Sequence, residues 1–274
     1  MAVTMSFPWR PVATISGLVI PMTLLLFWTR SPLRLAADDA VAAIKLPNLP
    51  YERLIEQSVK NLQQATQSPA LLAQKNKQAL GEAYFLALVA QAGINSSDEA
   101  FASRCLTLQE RALALARAIS KKDQATAKKI LNDLHQFAKL PPGKTGKQVN
   151  LAKEVPIERL MESVQATYEE LNKARRLNTQ QFSAKGKSED IALAAYKLAA
   201  LSLGITAHAP EKDPNPKEKQ TRALWLQSTE DVRKACLDMA AAAKSKKRPD
   251  FVSAFNRMDS ACTRCHDVYR VEIN

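Results

Sequence analysis

One five-residue run occurs twice in this chain, and the pair constrains its architecture more than any other feature. Pro50-Tyr51-Glu52-Arg53-Leu54 returns as Pro156-Ile157-Glu158-Arg159-Leu160. Tyr84 to Gly93-Ile94 resembles Tyr196 to Gly204-Ile205, and Ser120-Lys121-Lys122 resembles Ser245-Lys246-Lys247. The separation grows from 106 residues to 111 or 112 and then to about 125. The extra length falls in loops, notably the proline- and lysine-rich stretch from His208 to Lys219, as expected for surface connections. The pattern predicts an internal duplication of one helical unit.

Each unit reads as four helical segments. Tyr51, Leu54, Ile55, Val59 and Leu62 recur at helical spacing. Ser68-Pro69 supplies a cap and a first-turn proline for a second segment that stops near Gly93. Asn95-Ser96-Ser97-Asp98 opens a third, running to about Ile119. Lys121-Lys122-Asp123 turns into a fourth, with Ala127, Ile130, Leu131, Leu134 and Ala138 on one face. Pro141-Pro142-Gly143 ends it, because proline lacks an amide donor and clashes with the preceding turn. With only seven glycines in 274 residues the chain has little turn chemistry for a sheet, so the expected class is all-α. The expected divisions are a first unit at 49–142, a linker at 143–154 and a second unit at 155–274.

The N-terminus reads as an address. Arg10 is the only charge before an apolar run from Pro11 to Trp28, and Ala36-Ala37 offers a small-residue cleavage point. The run is long enough to sit at the lower limit for spanning a bilayer. Residues 1–37 therefore read as a signal peptide or an uncleaved membrane anchor, followed by a linker at 38–48. Either outcome makes the folded part periplasmic or otherwise extracytoplasmic. The net charge of +12 reads as a solvated lysine-rich surface or as steering toward an acidic redox partner. No nucleic-acid motif accompanies it.

The motif that carries chemistry lies near the C-terminus, at Cys262-Thr263-Arg264-Cys265-His266. Two cysteines three apart followed directly by histidine form the attachment signature of a c-type haem. Each thiol adds to one porphyrin vinyl group, and the histidine points a ring nitrogen at the iron as proximal ligand. On a helix these positions share a face. A zinc site would need four ligands, and His135 and His208 lie in no ligand-like spacing. A thioredoxin-like pair would follow a strand, and no such pattern is visible.

Aligning the apolar faces of the two fourth segments pairs Leu131 with Phe255 and Leu134 with Met258. Cys262 then falls opposite Ala138, and Cys265-His266 opposite Pro141-Pro142. The first unit is expected to be haem-free. The second presents Phe251, Phe255, Met258, Cys262, Cys265, His266 and Tyr269 as one stripe.

A four-helix unit ending in this motif, extended to Tyr269-Arg270, resembles the class II cytochromes c, the cytochrome c-prime group. The resemblance covers residues 155–274 and rests on 262–270. It implies two tandem antiparallel four-helix bundles, the C-terminal one carrying a single covalent haem c wedged between helices near one end. It also implies Arg270 near a haem propionate and Tyr269 beside the ring. In this family a methionine from the first helix makes a six-coordinate electron carrier, and a bulky apolar residue there leaves an open iron that binds small gases. Met161 is the distal candidate, and its counterpart in the first unit is Ile55. Met161 as ordinary core is the competing reading. Met258, two turns before His266 on one helix, belongs to the proximal haem environment, and Met239 reads as core.

The leading function is one-electron transfer to a redox partner protein, with no bond-making chemistry, so no enzyme activity is expected. The alternatives are a five-coordinate cytochrome binding nitric oxide or carbon monoxide, and a haem protein whose haem-free unit docks a partner or a second copy as a homodimer. Cys105 and Cys236 are not equivalent in the repeat; an inter-unit disulfide and two buried free thiols are both open.

Overall fold

The structure is a computed structural model that describes Leu46 and residues 49–143, 149–210 and 221–269. Among these residues it is all-helical, with eleven α-helices, one 3-10 turn and no strand. The first set comprises α1 (Tyr51–Ala65), α2 (Pro69–Gln74), α3 (Asn76–Ile94), α4 (Glu99–Ser120), α5 (Gln124–Leu134) and the 3-10 turn Phe137–Lys139. Then come α6 (Leu151–Glu154), α7 (Ile157–Arg175), α8 (Thr179–Phe182), α9 (Lys187–Ala207), α10 (Arg222–Lys244) and α11 (Arg248–Tyr269).

Short polar side chains start most of these helices by accepting from orphan amide groups. Ser68, Asp98 and Asp123 accept from Leu71, Phe101 and Thr126 in the first set. Asn178 and Thr221 do so in the second. The expected single segment from Ser68 to Gly93 is instead two helices, α2 and α3, separated at Lys75. Inside the stretch read as a linker, Leu151–Glu154 forms one helical turn, capped by Asn150 and pinned by buried Leu151 and Val155.

The same order of elements recurs: a helix, a short helix, two long helices, a last helix. The recurrence reaches backbone detail at the turn before the last helix. Lys122 and Lys246 both adopt positive φ, 57° and 55°. The amides behind them, of Asp123 and Lys247, bond back to Ala118 and Ala242, as in a Schellman turn. The structural offset is thus 124 residues at this turn. It is one less than the Ser-Lys-Lys match suggested, because the turn is placed by its left-handed residue and not by its serine.

In the first set α1 packs on α3 and α5, α3 on α4, and α4 on α5. In the second α7 packs on α9 and α11, α9 on α10, and α10 on α11. The described residues fall in one compact unit, Leu35–Asn274, because α3 lies against both α7 and α9. Helices α3 and α9 are buried nearly all round, so their apolar residues do not confine themselves to one stripe. Helix α9 is long and apolar enough to cross a membrane, yet 78% of that stretch is buried inside the fold. The close approach of the two sets uses glycine: a Cβ on Gly204 would come within 2.7 Å of Leu160 Cδ2 and 3.1 Å of Leu88 Cδ1. Across the same seam Lys197 pairs with buried Glu82, whose other oxygen accepts from Ser58 at 2.8 Å.

Candidate functional site

The two sets diverge at their last helix, and that divergence creates the site. Helix α5 stops at Leu134, short of the expected Ala138. The chain then tightens into the 3-10 turn, which buries Phe137. Phe137 meets Phe101 edge-on at 5.8 Å between ring centroids, and Phe101 meets Tyr51 at 5.2 Å. Giving up the helix lets this aromatic trio close the end of the first set. Helix α11 instead continues past Met258, the counterpart of Leu134, to Tyr269. At the three matching positions the second set has Ile157 on α7, Trp225 on α10 and the small Ala261 on α11. Phe137 has no bulky equivalent there.

The continuation carries Cys262, Cys265 and His266 on its last turns. Both thiols are unpaired and half-buried, and His266 is exposed. Cys262 Sγ lies 3.7 Å from the sulfur of buried Met258. Burial pushes the Cys262 thiol up to about 12, helped by the Asp259 carboxylate and Cys265, and burial pushes Cys265 to about 11. Both stay protonated at neutral pH, and the thiolate is the reactive form.

Helix α7 runs antiparallel to α11 across this site. Tyr168 donates to Asp259 at 2.8 Å and its ring meets Phe255 at 5.4 Å. One end of the seam is held by Arg175, which stands over Phe255 at 4.8 Å. Met161 is half-buried on the same face of α7, seven residues before Tyr168. Seven residues is roughly 10 Å of helix rise. The same step along α11 from Asp259 reaches His266, so Met161 is level with the motif. Its neighbour Leu160 is buried and turns to Gly204 and α9. Met239 is fully buried core on α10.

Tyr269 donates its hydroxyl to the Thr221 carbonyl and packs edge-on against Trp225 at 5.0 Å. Trp225 Nε1 in turn donates to the Ile205 carbonyl at 2.8 Å. Arg270 and residues 1–45 lie outside the described residues. None of the four cysteines is in a disulfide. Cys105 packs in the first set, and Cys236 on α10 is close enough to Cys262 for that thiol to help raise it, after burial. Sequence reading missed this, as it missed Trp225 and the Tyr168–Asp259 bond, because nothing in the spacing gives the rotation of α10 about its axis. His208, read as a loop residue, caps the end of α9, with its ring 2.8 Å from the Val155 carbonyl.

The chemistry of this donor set fits haem c. Two free thiols sit one turn apart, an imidazole follows at an exposed position, and a thioether stands level across the seam. No group of three or more His, Cys, Asp or Glu among the described residues is arranged to hold a bare metal ion. A haem iron takes four of its ligands from the porphyrin and asks the chain for only one or two. Compared with known protein families, curated proteins and solved structures, the chain shows no match.

Proposed function

We propose that this protein is an exported c-type cytochrome of the class II kind, built as two tandem four-helix bundles of which only the second carries haem. The observation that carries the reading is the motif Cys262-Thr263-Arg264-Cys265-His266 on a helix that outruns its counterpart, with Met161 level across α7. Cys262 and Cys265 would hold the porphyrin through thioether bonds, and His266 would ligate the iron as proximal ligand. Met161 would offer it a soft thioether sulfur as distal ligand, of the kind that raises a haem potential. When bound, the haem supplies reversible one-electron exchange. The chain fixes its orientation and limits its contact with water, with Met258 packed beside Cys262 and Tyr269 closing the end against Trp225.

Support for tandem bundles comes from the pairwise packing of four long helices in each set and from the shared Lys122 and Lys246 turn.

The test is thiol counting on mature protein made with haem-attachment machinery. After denaturation, two of the four cysteines, Cys105 and Cys236, are expected to react with an alkylating reagent, and the chain keeps a haem spectrum. Four reactive thiols on colourless protein would sink the proposal.

A further inference from the structure

The charge of this chain is concentrated at one end of its helices. In the second set that end is formed by the C-terminus of α7, helix α8, the start of α9 and the α10–α11 turn. They are one surface: Arg248 donates to the carbonyls of Leu177 and Arg175, and Leu177 and Lys187 line one small cavity of about 120 Å³. Residues 172–191 and 241–252 hold nine Lys or Arg against three Asp or Glu. Lys173, Arg176, Lys185, Lys187, Lys244, Lys246 and Lys247 are exposed.

The corresponding end of the first set repeats the bias. Residues 66–77 and 119–129 hold six lysines against Asp123 alone. The two ends face the same way, because α3 and α9 ascend together: Glu82 meets Lys197, and further along both helices Leu88 meets Gly204. Together these stretches carry fifteen cations and four anions, most of the chain's net +12. Among the described residues, only Lys77 of the exposed cations in these stretches joins an ion pair. The haem motif is at the opposite end of α11. Arg248 and Cys262 are fourteen residues apart, roughly 21 Å along the helix.

We infer that this basic end docks the protein, by charge, on an anionic phospholipid surface. The chemistry of the cations favours that occupant. All but one of the exposed second-set cations are lysines, hydrated point charges on flexible stems without the fixed fork that reads a single carboxylate. Lys173 and Lys187 border the small cavity while the others spread over two helix-pair ends, and the bulky apolar residues between them, Phe182 and Phe251, are buried. Such a surface suits a fluid, multiply charged plane. An electron-accepting protein bound there would be far from the motif, whereas docking on lipid leaves the motif end pointing away from the membrane. The choice of lipid over an electron-accepting protein rests on the function proposed above; the charge distribution does not.

Lysine acetylation of the full chain on vesicles tests it. Vesicles of phosphatidylcholine with and without phosphatidylglycerol are compared, with Lys60 and Lys139 as internal references. At low salt the acetylation of Lys173, Lys185, Lys187, Lys246 and Lys247 is expected to slow about ten-fold only when phosphatidylglycerol is present. The rates should recover at about 0.5 M salt. Unchanged rates, or equal slowing at Lys60 and Lys139, would overturn the inference. So would protection by soluble polyaspartate without protection by vesicles, which would identify an acidic protein as the partner.

Discussion

At the scale of single residues, Met161 is the one on which the proposed iron coordination turns. It is half-buried, so its truncation opens no large cavity. Met161→Ala is expected to leave folding intact and to convert a low-spin reduced spectrum into a high-spin one that responds to carbon monoxide. A wild-type spectrum already high-spin would remove Met161 from coordination and favour the gas-binding alternative. A second residue-scale prediction concerns Cys105, whose thiol burial pushes up to about 12 from an ordinary value of 9.0. The folded state holds that proton where the unfolded chain releases it. The contribution is therefore complete below pH 9 and is lost as pH rises toward 12. The unfolding free energy of the haem-free chain, from urea titrations, should fall by a few kcal/mol over that window, and Cys105→Ala should flatten the slope. The motif residues stand out in sequence because covalent haem attachment would dictate their spacing. The proximity of Cys236 to Cys262 was not, because it depends on how two helices rotate about their axes.

At the scale of elements, the paired turns offer a clean measurement. Lys122 and Lys246 adopt a left-handed conformation that lysine tolerates poorly and glycine accepts. Lys122→Gly and Lys246→Gly should each stabilise the chain by about 1 kcal/mol, read by urea unfolding. A loss of stability in either would mean that the lysine stem supports the turn. Helix positions were largely readable because caps such as Ser68, Asp98 and Asp123 announce themselves. The break at Lys75 and the early end of α5 were not. Helical periodicity continues through Ala138, and only the burial of Phe137 against Phe101 explains why the backbone tightens there.

At the scale of the whole molecule, the seam of α3 against α7 and α9 governs behaviour. The repeat predicted two units with a linker between them, and nothing in the pattern revealed that they share a core. Glycine at 204 was visible, but its closeness to Leu160 and Leu88 is a three-dimensional fact. Gly204→Ala is expected to cost about 1–3 kcal/mol and to lower both halves of the unfolding transition together. Separate transitions for Trp225 fluorescence and for overall helicity would show that the halves unfold independently. Removing residues 49–140 would strip α3 from α7 and α9 and expose Leu160, so that deletion is a poor way to ask what the first half does.

The aromatic trio Tyr51, Phe101 and Phe137 draws the end of the first half together with its own side chains, beside a groove of about 380 Å³ lined by Ile55, Val59 and Leu134. The second half, by the reading proposed above, waits for a prosthetic group before its far end is full. A newly exported polypeptide would then arrive with one finished half already pressed along the unfinished one. It would serve as a built-in template that keeps the waiting half in shape until iron supply catches up.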